Sequence, residues 1–262
     1  MIGLTAIFRN EAPYLEEWLN FHLAVGVDHF FLYNHQSTDN YQEVLASYVG
    51  ARVVTLMEAP EVFSPQVPTY NHALTTHPEC DWMVVCDLDE FIVPVSGNSL
   101  REVLARLDKP DASGIAVQWA VMLEDFETPP TGGVVRNYVH RLQTPYNAPN
   151  GISKVIVKPS RVTGMSDPHL AISRPGYRIY DELGRVVYMS QHFESESIQH
   201  LRVNHYWFKS KQEFAIKITR PSPNRDWAGH DSYMANIWNL HDNVLAQPRI
   251  YDDTALRFTY AT

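Results

Sequence analysis

Apolar and polar positions along the first ninety residues follow two periods that take turns. "IGLTAIF" (residues 2–8) is a continuous apolar run of strand length. Leu15, Trp18, Leu19 and His22 then recur at three- and four-residue spacing, which places them on one face of a helix that Asn10 can cap and Gly26 stops. "DHFFLYN" reads as the second strand, "YQEVLASYV" as a helix with Gly50 behind it, and "ARVVTLM" as the third strand. "TYNHALTTH" follows as a helix and "DWMVVCD" as the fourth strand. Strands alternating with helices need right-handed crossovers, so the expected fold is α/β, a mostly parallel sheet flanked by helices. Ligands in such sheets lie beyond the carboxyl ends of the strands. Arg9, Asn34 and Asp87 fall there.

Past Pro94 the pattern changes. A helix is expected at "SLREVLARL", strand-like pieces at "GIAVQWAVM", "VVRNYVHRL", "KVIVKP" and "RVVYMS", and helices at "SKQEFAIKIT" and "SYMANIWNLH". "TPPTGG" and "TPYNAPNG" read as loops, and neither is a clear domain boundary. The expectation is one domain over residues 1–262, with halves at 1–95 and 96–262.

A chain of 262 residues with 45% hydrophobic and 19% charged residues can bury a full core. The net charge of -9 comes without a basic block, which argues against a nucleic-acid or anionic-membrane partner. A small anionic ligand therefore needs a local basic site or a metal. Cys80 and Cys86 are too few for a disulfide framework or a four-cysteine zinc site, and read as buried thiols in a reducing compartment. The N-terminal apolar run is too short for a signal or membrane span, so no transmembrane segment and a cytoplasmic location are expected.

The chemistry concentrates in "MVVCDLDEFIVP" (residues 83–94), where Asp87 and Asp89 stand two apart at the end of an apolar run. On a strand, positions i and i+2 share a side, so the two carboxylates are expected to converge. Convergent carboxylates bind a divalent cation, share a proton or are solvated. A phosphatase that uses the first Asp as nucleophile fits poorly, since Phe91 stands where Thr or Val is wanted and "IYDDTAL" (Asp252, Asp253) is a weak acidic motif. A nucleotidyltransferase is disfavoured because "FRNEAPY" lacks a glycine-rich phosphate loop.

Taken in order, "IFRNEAPYLEEWLNFHLAVGVDHFFLYNHQSTDN", "TYNHAL", "WMVVCDLDEFIVP", "SKVIVKP" and "NHYWFKSKQEF" resemble the family-2-like and family-92-like glycosyltransferases across roughly residues 3 to 220. The resemblance implies a GT-A fold, with a nucleotide-sugar-binding half over 1–95 and an acceptor-side half over 96–262. It implies a hexosyltransferase-type enzyme, metal-dependent and inverting, with Mn²⁺ or Mg²⁺ as cofactor. The donor would be a nucleotide-diphosphate sugar, UDP-linked, and the acceptor a saccharide or lipid-linked saccharide, as in polysaccharide biosynthesis. A non-catalytic nucleotide- or carbohydrate-binding module on the same fold is the alternative.

Carried over residue by residue, Asp87 and Asp89 match the metal and diphosphate motif, with Asp89 the more direct ligand. His205 in "NHYWFKS" is the expected third ligand and His169 its rival. Arg9, Glu11, Asn34, Asn71, Lys154 and Lys209 are the expected donor contacts together with Asp87; Asn34 replaces an Asp that reads uracil in many relatives. Lys158 and Glu90 could take part or be solvated. Ser37, Thr38 and Asp39 are expected to turn the chain and cap the next helix. The base has no matching position: "VMLEDFETPP" offers Asp125 first and Glu124 second. Trp119, Phe126 and Trp207 could stack on an acceptor sugar.

Overall fold

The computed structural model describes residues 1–143, 153–188, 197–219 and 230–259. The first-half alternation is realised as β1 (Ile2–Phe8), α1 (Ala12–Val25), β2 (His29–Asn34), α2 (Tyr41–Gly50), β3 (Val54–Glu58), α3 (Gln66–Thr76) and β4 (Trp82–Val85). Gly26 ends α1 in the left-handed conformation at φ 104°, with its N–H on the carbonyls of His22 and Leu23. β3, β2, β1 and β4 lie side by side and parallel. The chain winds outward from β1 to β3 and returns on the other side as β4, so the crevice between the ends of β1 and β4 is the switch point where ligands lodge.

The second half supplies β5 (Glu90–Pro94), α4 (Leu100–Leu107), β6 (Ala112–Val121), the short α5 (Val134–Asn137), β7 (His140–Leu142) and β8 (Ser153–Val157). It continues through β9 (Val162–Asp167), β10 (Leu170–Ser173), β11 (Arg178–Tyr180), β12 (Val186–Val187) and β13 (Leu201–His205), and ends in α6 (Lys211–Thr219), α7 (His230–Leu245) and β14 (Arg249–Tyr251). β8 inserts antiparallel between β4 and β6, and β13 lies antiparallel to β5 and parallel to β6. The expected α/β GT-A-type sheet flanked by helices is thus present. Leu4, Trp18, Phe30 and Val84 pack one face against α1, α2 and α4, while Tyr33, Tyr70, Met83 and Val155 pack the other against α3 and β9. A third apolar cluster joins α6 and α7 through Phe208, Phe214 and Val244.

Several local expectations change. "VVRNYVHRL" is not one strand but α5 followed by β7. Both Glu17 carboxylate oxygens, reaching from α1, accept the N–H groups of Val134 and Val135 at 2.7 and 2.9 Å, which starts a helical turn that local periodicity does not show. Asn10 does not cap α1. Its backbone is left-handed at φ 54°, and Ala12 N–H at the helix start is accepted at 2.8 Å by Asp39. The "STD" turn therefore caps the helix before it rather than the one after it, and Ser37 Oγ accepts Asn10 N–H at 2.9 Å. The loop expected at residues 144–151 and the end of "RVVYMS" lie outside the described residues. Among the described residues no helix is long and apolar enough to cross a membrane.

β13 is tied to the C-terminal segment by a buried ion cluster. Arg202 donates from both terminal nitrogens to Asp252 at 2.7 Å, and Arg141 Nε donates to Asp252 Oδ2 at 2.7 Å. The pair of acids considered for a phosphatase motif is thus led by a structural carboxylate. Asp252→Ala strands a buried guanidinium and should destabilise the fold by about 3–5 kcal/mol, read as a lower urea midpoint at unchanged slope.

Candidate functional site

Trp82–Val85 runs straight and stops before the acidic pair; Cys86–Asp89 is a turn into β5, closed by Glu90 N–H on the Asp87 carbonyl at 3.1 Å. The Trp18 indole N–H from α1 reaches the carbonyls of Glu90 and Asp87 at 2.9 and 3.2 Å and holds the turn in place. Because the backbone turns here, the strand rule that puts i and i+2 on one side does not apply. The two carboxylates separate into different surroundings, which corrects the expected convergence.

Asp87 faces inward. Its Oδ2 takes a 2.7 Å hydrogen bond from the ammonium of Lys154, and its Oδ1 takes bonds from Tyr70 OH at 2.7 Å and Gln66 at 2.9 Å. Burial pushes the Asp87 carboxyl up, but Lys154 and these hydrogen bonds bring it below the usual carboxylate range. Asp87 thus accepts three hydrogen bonds on its two oxygens, while His205 lies against Asp89. Lys154 is fully buried on β8 and also lies 3.4 Å from Glu90, so its ammonium serves the turn rather than open solvent. Glu90 is fully buried too; its Oε2 accepts Asp87 N–H at 2.9 Å while its Oε1 has no partner.

Asp89 turns toward β13 and α6. Lys217 Nζ donates to its Oδ2, and the same oxygen lies 3.5 Å from His205 Nε2. Burial would raise the Asp89 carboxyl, but the Lys217 ammonium and His205 hold it well below the usual range. Burial moves His205 below the ordinary imidazole value, against the pull of Asp89, so the ring is neutral at pH 7. Asp89 opens onto a cleft lined also by Glu11, Tyr14, Lys209, Glu213 and Lys217.

Lys209 is 8% exposed, and its backbone is held at φ 40°, a strained value for a side-chain-bearing residue. Its ammonium sits 3.5 Å from the centroid of the Tyr14 ring, and among the described residues no carboxylate lies within ion-pair distance of it. Burial lowers its pKa, with Glu11 and Asp89 pulling the other way. A larger hollow of about 310 Å³ under Ala24, Asn98 and Phe258 is a poor rival, because the guanidinium of its Arg257 is spent on the carbonyls of Pro94 and Val95.

The other expected residues divide. Glu11 lines the cleft. Arg9 lies in the first turn, where its charge adds to burial in lowering His35. Asn34 does not present a free amide: Oδ1 accepts Ser37 N–H at 2.9 Å and Nδ2 donates to Glu58 at 2.8 Å. Asn71 uses its Oδ1 to accept Met165 N–H at 2.6 Å. Lys158 pairs with Asp108. His169 packs edge-on to Trp119, whose ring lies 4.1 Å from His205, so it is His205 and not His169 that reaches Asp89.

Glu124 and Asp125 are not among the residues that line the cleft. Glu124 Oε1 is 2.6 Å from His140 Nδ1 and accepts the N–H of His140 at 3.1 Å, and Asp125 is exposed, 3.8 Å from Lys211. Lys217 and Glu213 were not foreseen. At i and i+4 on α6 they look like an ordinary surface pair, and only the packing of α6 turns them toward Asp89 and Tyr14.

Burial, with the neighbouring carboxylates, pushes Glu90 from 4.5 up to about 8, while Lys154 opposes it. A neutral acid also explains the partnerless Oε1, since a bare anionic oxygen there is costlier than a protonated one. The folded state then keeps a proton that the unfolded chain has lost above 4.5, so this contribution to stability fades as pH rises toward 8. Depressed histidines such as His22, moved from 6.5 to about 3 by burial, tilt stability the opposite way below 6.5. Between pH 6.5 and 8 stability should fall by about 1 kcal/mol per pH unit, and Glu90→Gln should flatten that slope in urea titrations.

A family model described as "Glycosyltransferase family 92" matches residues 5–237. A glycosyltransferase family 92 protein of Oryza sativa subsp. japonica is 26% identical over 246 residues, covering 93% of this chain and 38% of the relative. One from Ricinus communis is 28% identical over 227 residues, covering 80% of this chain and 36% of the relative. The chain thus spans under two-fifths of the length of these relatives. Among solved structures, S. aureus TarS 1-349 in complex with UDP-GlcNAc aligns over 92% of this chain and 72% of its own at 12% identity and a TM-score of 0.39. Glucosyl-3-phosphoglycerate synthase from Mycobacterium tuberculosis, in complex with Mn²⁺, UDP-glucose and phosphoglyceric acid, aligns over 45% and 44% at 13% identity and a TM-score of 0.31.

Proposed function

The chain belongs to glycosyltransferase family 92, and on that premise we propose that it transfers a sugar from a nucleotide-diphosphate donor, UDP-linked, to a hydroxyl of a saccharide or lipid-linked saccharide, with inversion. The observation that carries this reading is Lys209: a buried ammonium, on strained backbone, over Tyr14, with no carboxylate within ion-pair distance among the described residues, beside Lys217 and Asp89. A buried cation whose carboxylates stand beyond ion-pair distance can take an anion as a direct partner. A diphosphate in the cleft supplies one, at the switch point where donor ligands of such sheets lie.

In the reaction the acceptor oxygen bonds to the anomeric carbon as that carbon's bond to the diphosphate breaks, and the acceptor proton leaves to a base. Lys209 and Lys217 face the charge that grows on the departing diphosphate, in a cleft with little water to screen it. The chemistry of Asp89 and His205 fits a divalent cation: a hard carboxylate oxygen and a neutral imidazole nitrogen meet within 3.5 Å, and Lys217 shows that this carboxylate takes a positive partner. Among the described residues no group of three such donors forms, so these two would hold the ion together with donor oxygens. Bound there, Mn²⁺ or Mg²⁺ would act as a Lewis acid toward the leaving diphosphate. Asp87 and Lys154 act behind this pair by fixing the turn.

The displacement of Glu124 and Asp125 from the cleft is what favours the second reading, a binding module that holds donor without turnover. Release of UDP from a UDP-sugar separates the two. The donor site is tested with Lys209→Met: UDP affinity should drop roughly 10- to 100-fold, the worth of a charged hydrogen bond, with UMP affinity much less affected. Equal UDP affinity in wild type and variant, measured by calorimetry, overturns the assignment.

A further inference from the structure

We propose that Tyr14 and Glu213 form the relay that takes the acceptor's hydroxyl proton, with Glu213 as the final base. The inference rests on the donor cleft described above and supplies the acceptor half of the reaction with its proton acceptor.

Glu213 first looks like an ordinary helix-start residue. With Ser210 it makes a capping box at the head of α6: Ser210 Oγ accepts Glu213 N–H at 3.3 Å, and Glu213 Oε2 accepts Ser210 N–H at 3.1 Å and the Ser210 hydroxyl at 2.6 Å. That exchange uses one carboxylate oxygen. The other, Oε1, accepts the hydroxyl of Tyr14 from α1 at 2.7 Å, 199 positions away, and both side chains line the cleft. Helix capping accounts for the first oxygen and not for the second. Two other carboxylates line the cleft. Asp89 is held by the Lys217 ammonium well below the usual range, which makes it a poor proton acceptor, and Glu11 acts on Lys209.

A hydroxyl that donates a hydrogen bond can also accept one. Tyr14 Oη can therefore take a proton from an acceptor O–H while passing its own to Glu213 Oε1. The Lys209 ammonium, 3.5 Å from the centroid of the Tyr14 ring, eases the negative charge on the phenol oxygen while the proton is in transit. Trp207, partly exposed on the same cleft, offers an acceptor sugar an apolar face. In the step, the acceptor oxygen bonds to the anomeric carbon, and the diphosphate leaves with the electron pair of the bond that breaks. The acceptor proton moves to Tyr14 as the Tyr14 proton moves to Glu213, so the tyrosine ends neutral and the carboxylate protonated. Glu213 then returns the proton to water.

The test follows UDP release from UDP-glucose, UDP-galactose and UDP-N-acetylglucosamine by the intact chain with Mn²⁺ present, with water alone and with a set of oligosaccharides as acceptors. Glutamine at 213 still closes the capping box but is no base, so the thermal midpoint of Glu213→Gln should hold. Its kcat should fall about 10²- to 10⁴-fold, with KM for the donor within about threefold of wild type. UDP affinity by calorimetry should hold or tighten, because a negative neighbour of Lys209 is gone. Tyr14→Phe keeps the ring under Lys209 and should lose a similar factor in kcat, and the double variant should be no slower than the slower single one, since the two groups act as a unit. Wild-type kcat in Glu213→Gln, or losses that add in the double variant, overturns the proposal. A loss that comes with a lowered thermal midpoint marks Glu213 as a structural cap and overturns it too. No UDP release by wild-type protein from any of these donors, with UDP still bound, overturns the relay and leaves the binding module. No UDP binding under any condition removes the cleft reading as well.

Discussion

The ammonium of Lys154, sealed in the sheet between Asp87 and Glu90, is the interaction on which the site depends. Removing such a charge from water costs several kcal/mol, which only well-placed partners offset. Here the cluster is assembled from four separate parts of the chain. Lys154 is on β8, Asp87 and Glu90 bracket the turn after β4, Tyr70 and Gln66 come from α3, and Trp18 of α1 binds the turn's carbonyls. Two carboxylates around one ammonium would leave a surplus negative charge, and the proton retained on Glu90 removes it.

That inner cluster explains how two neighbouring acids take up different work. Asp87 is consumed in holding the turn, and the turn then presents Asp89 to His205 from β13 and Lys217 from α6. β13 is itself fixed by Arg202 on Asp252, so the imidazole is positioned by a second buried ion cluster away from the cleft. Rigid charge pairs lie behind the site, and the less satisfied groups, Lys209 above all, face the cleft. Incomplete pairing in a cleft is what a charged ligand can exploit.

The cleft also draws on segments distant in sequence: Glu11 and Tyr14 from the first turn and helix, Asp89 from the β4–β5 turn, and Lys209, Glu213 and Lys217 from the segment after β13. The family model spans 5–237 and so includes all of them. Glu124 lies away from these residues and is taken up by His140 and the neighbouring backbone.

By itself the sequence determined the first-half order of strands and helices, the place of the acidic pair at the end of β4, the candidacy of Asp89, His205 and Lys209, and the family. Those features are legible because apolar periodicity and turn residues act over a few positions, and because a motif keeps its order along the chain. Only the tertiary structure decided that Asp87 pairs with Lys154, that Asp39 rather than Asn10 serves the start of α1, that residues 134–137 coil under Glu17, and that Lys217 meets Asp89. Each of these is a contact between groups at least 27 positions apart, the Asp87–Lys154 pair at 67 among them. Local pattern carries no information on which distant charge a carboxylate will meet, and in a buried site that partner decides whether the group holds the fold or faces the substrate.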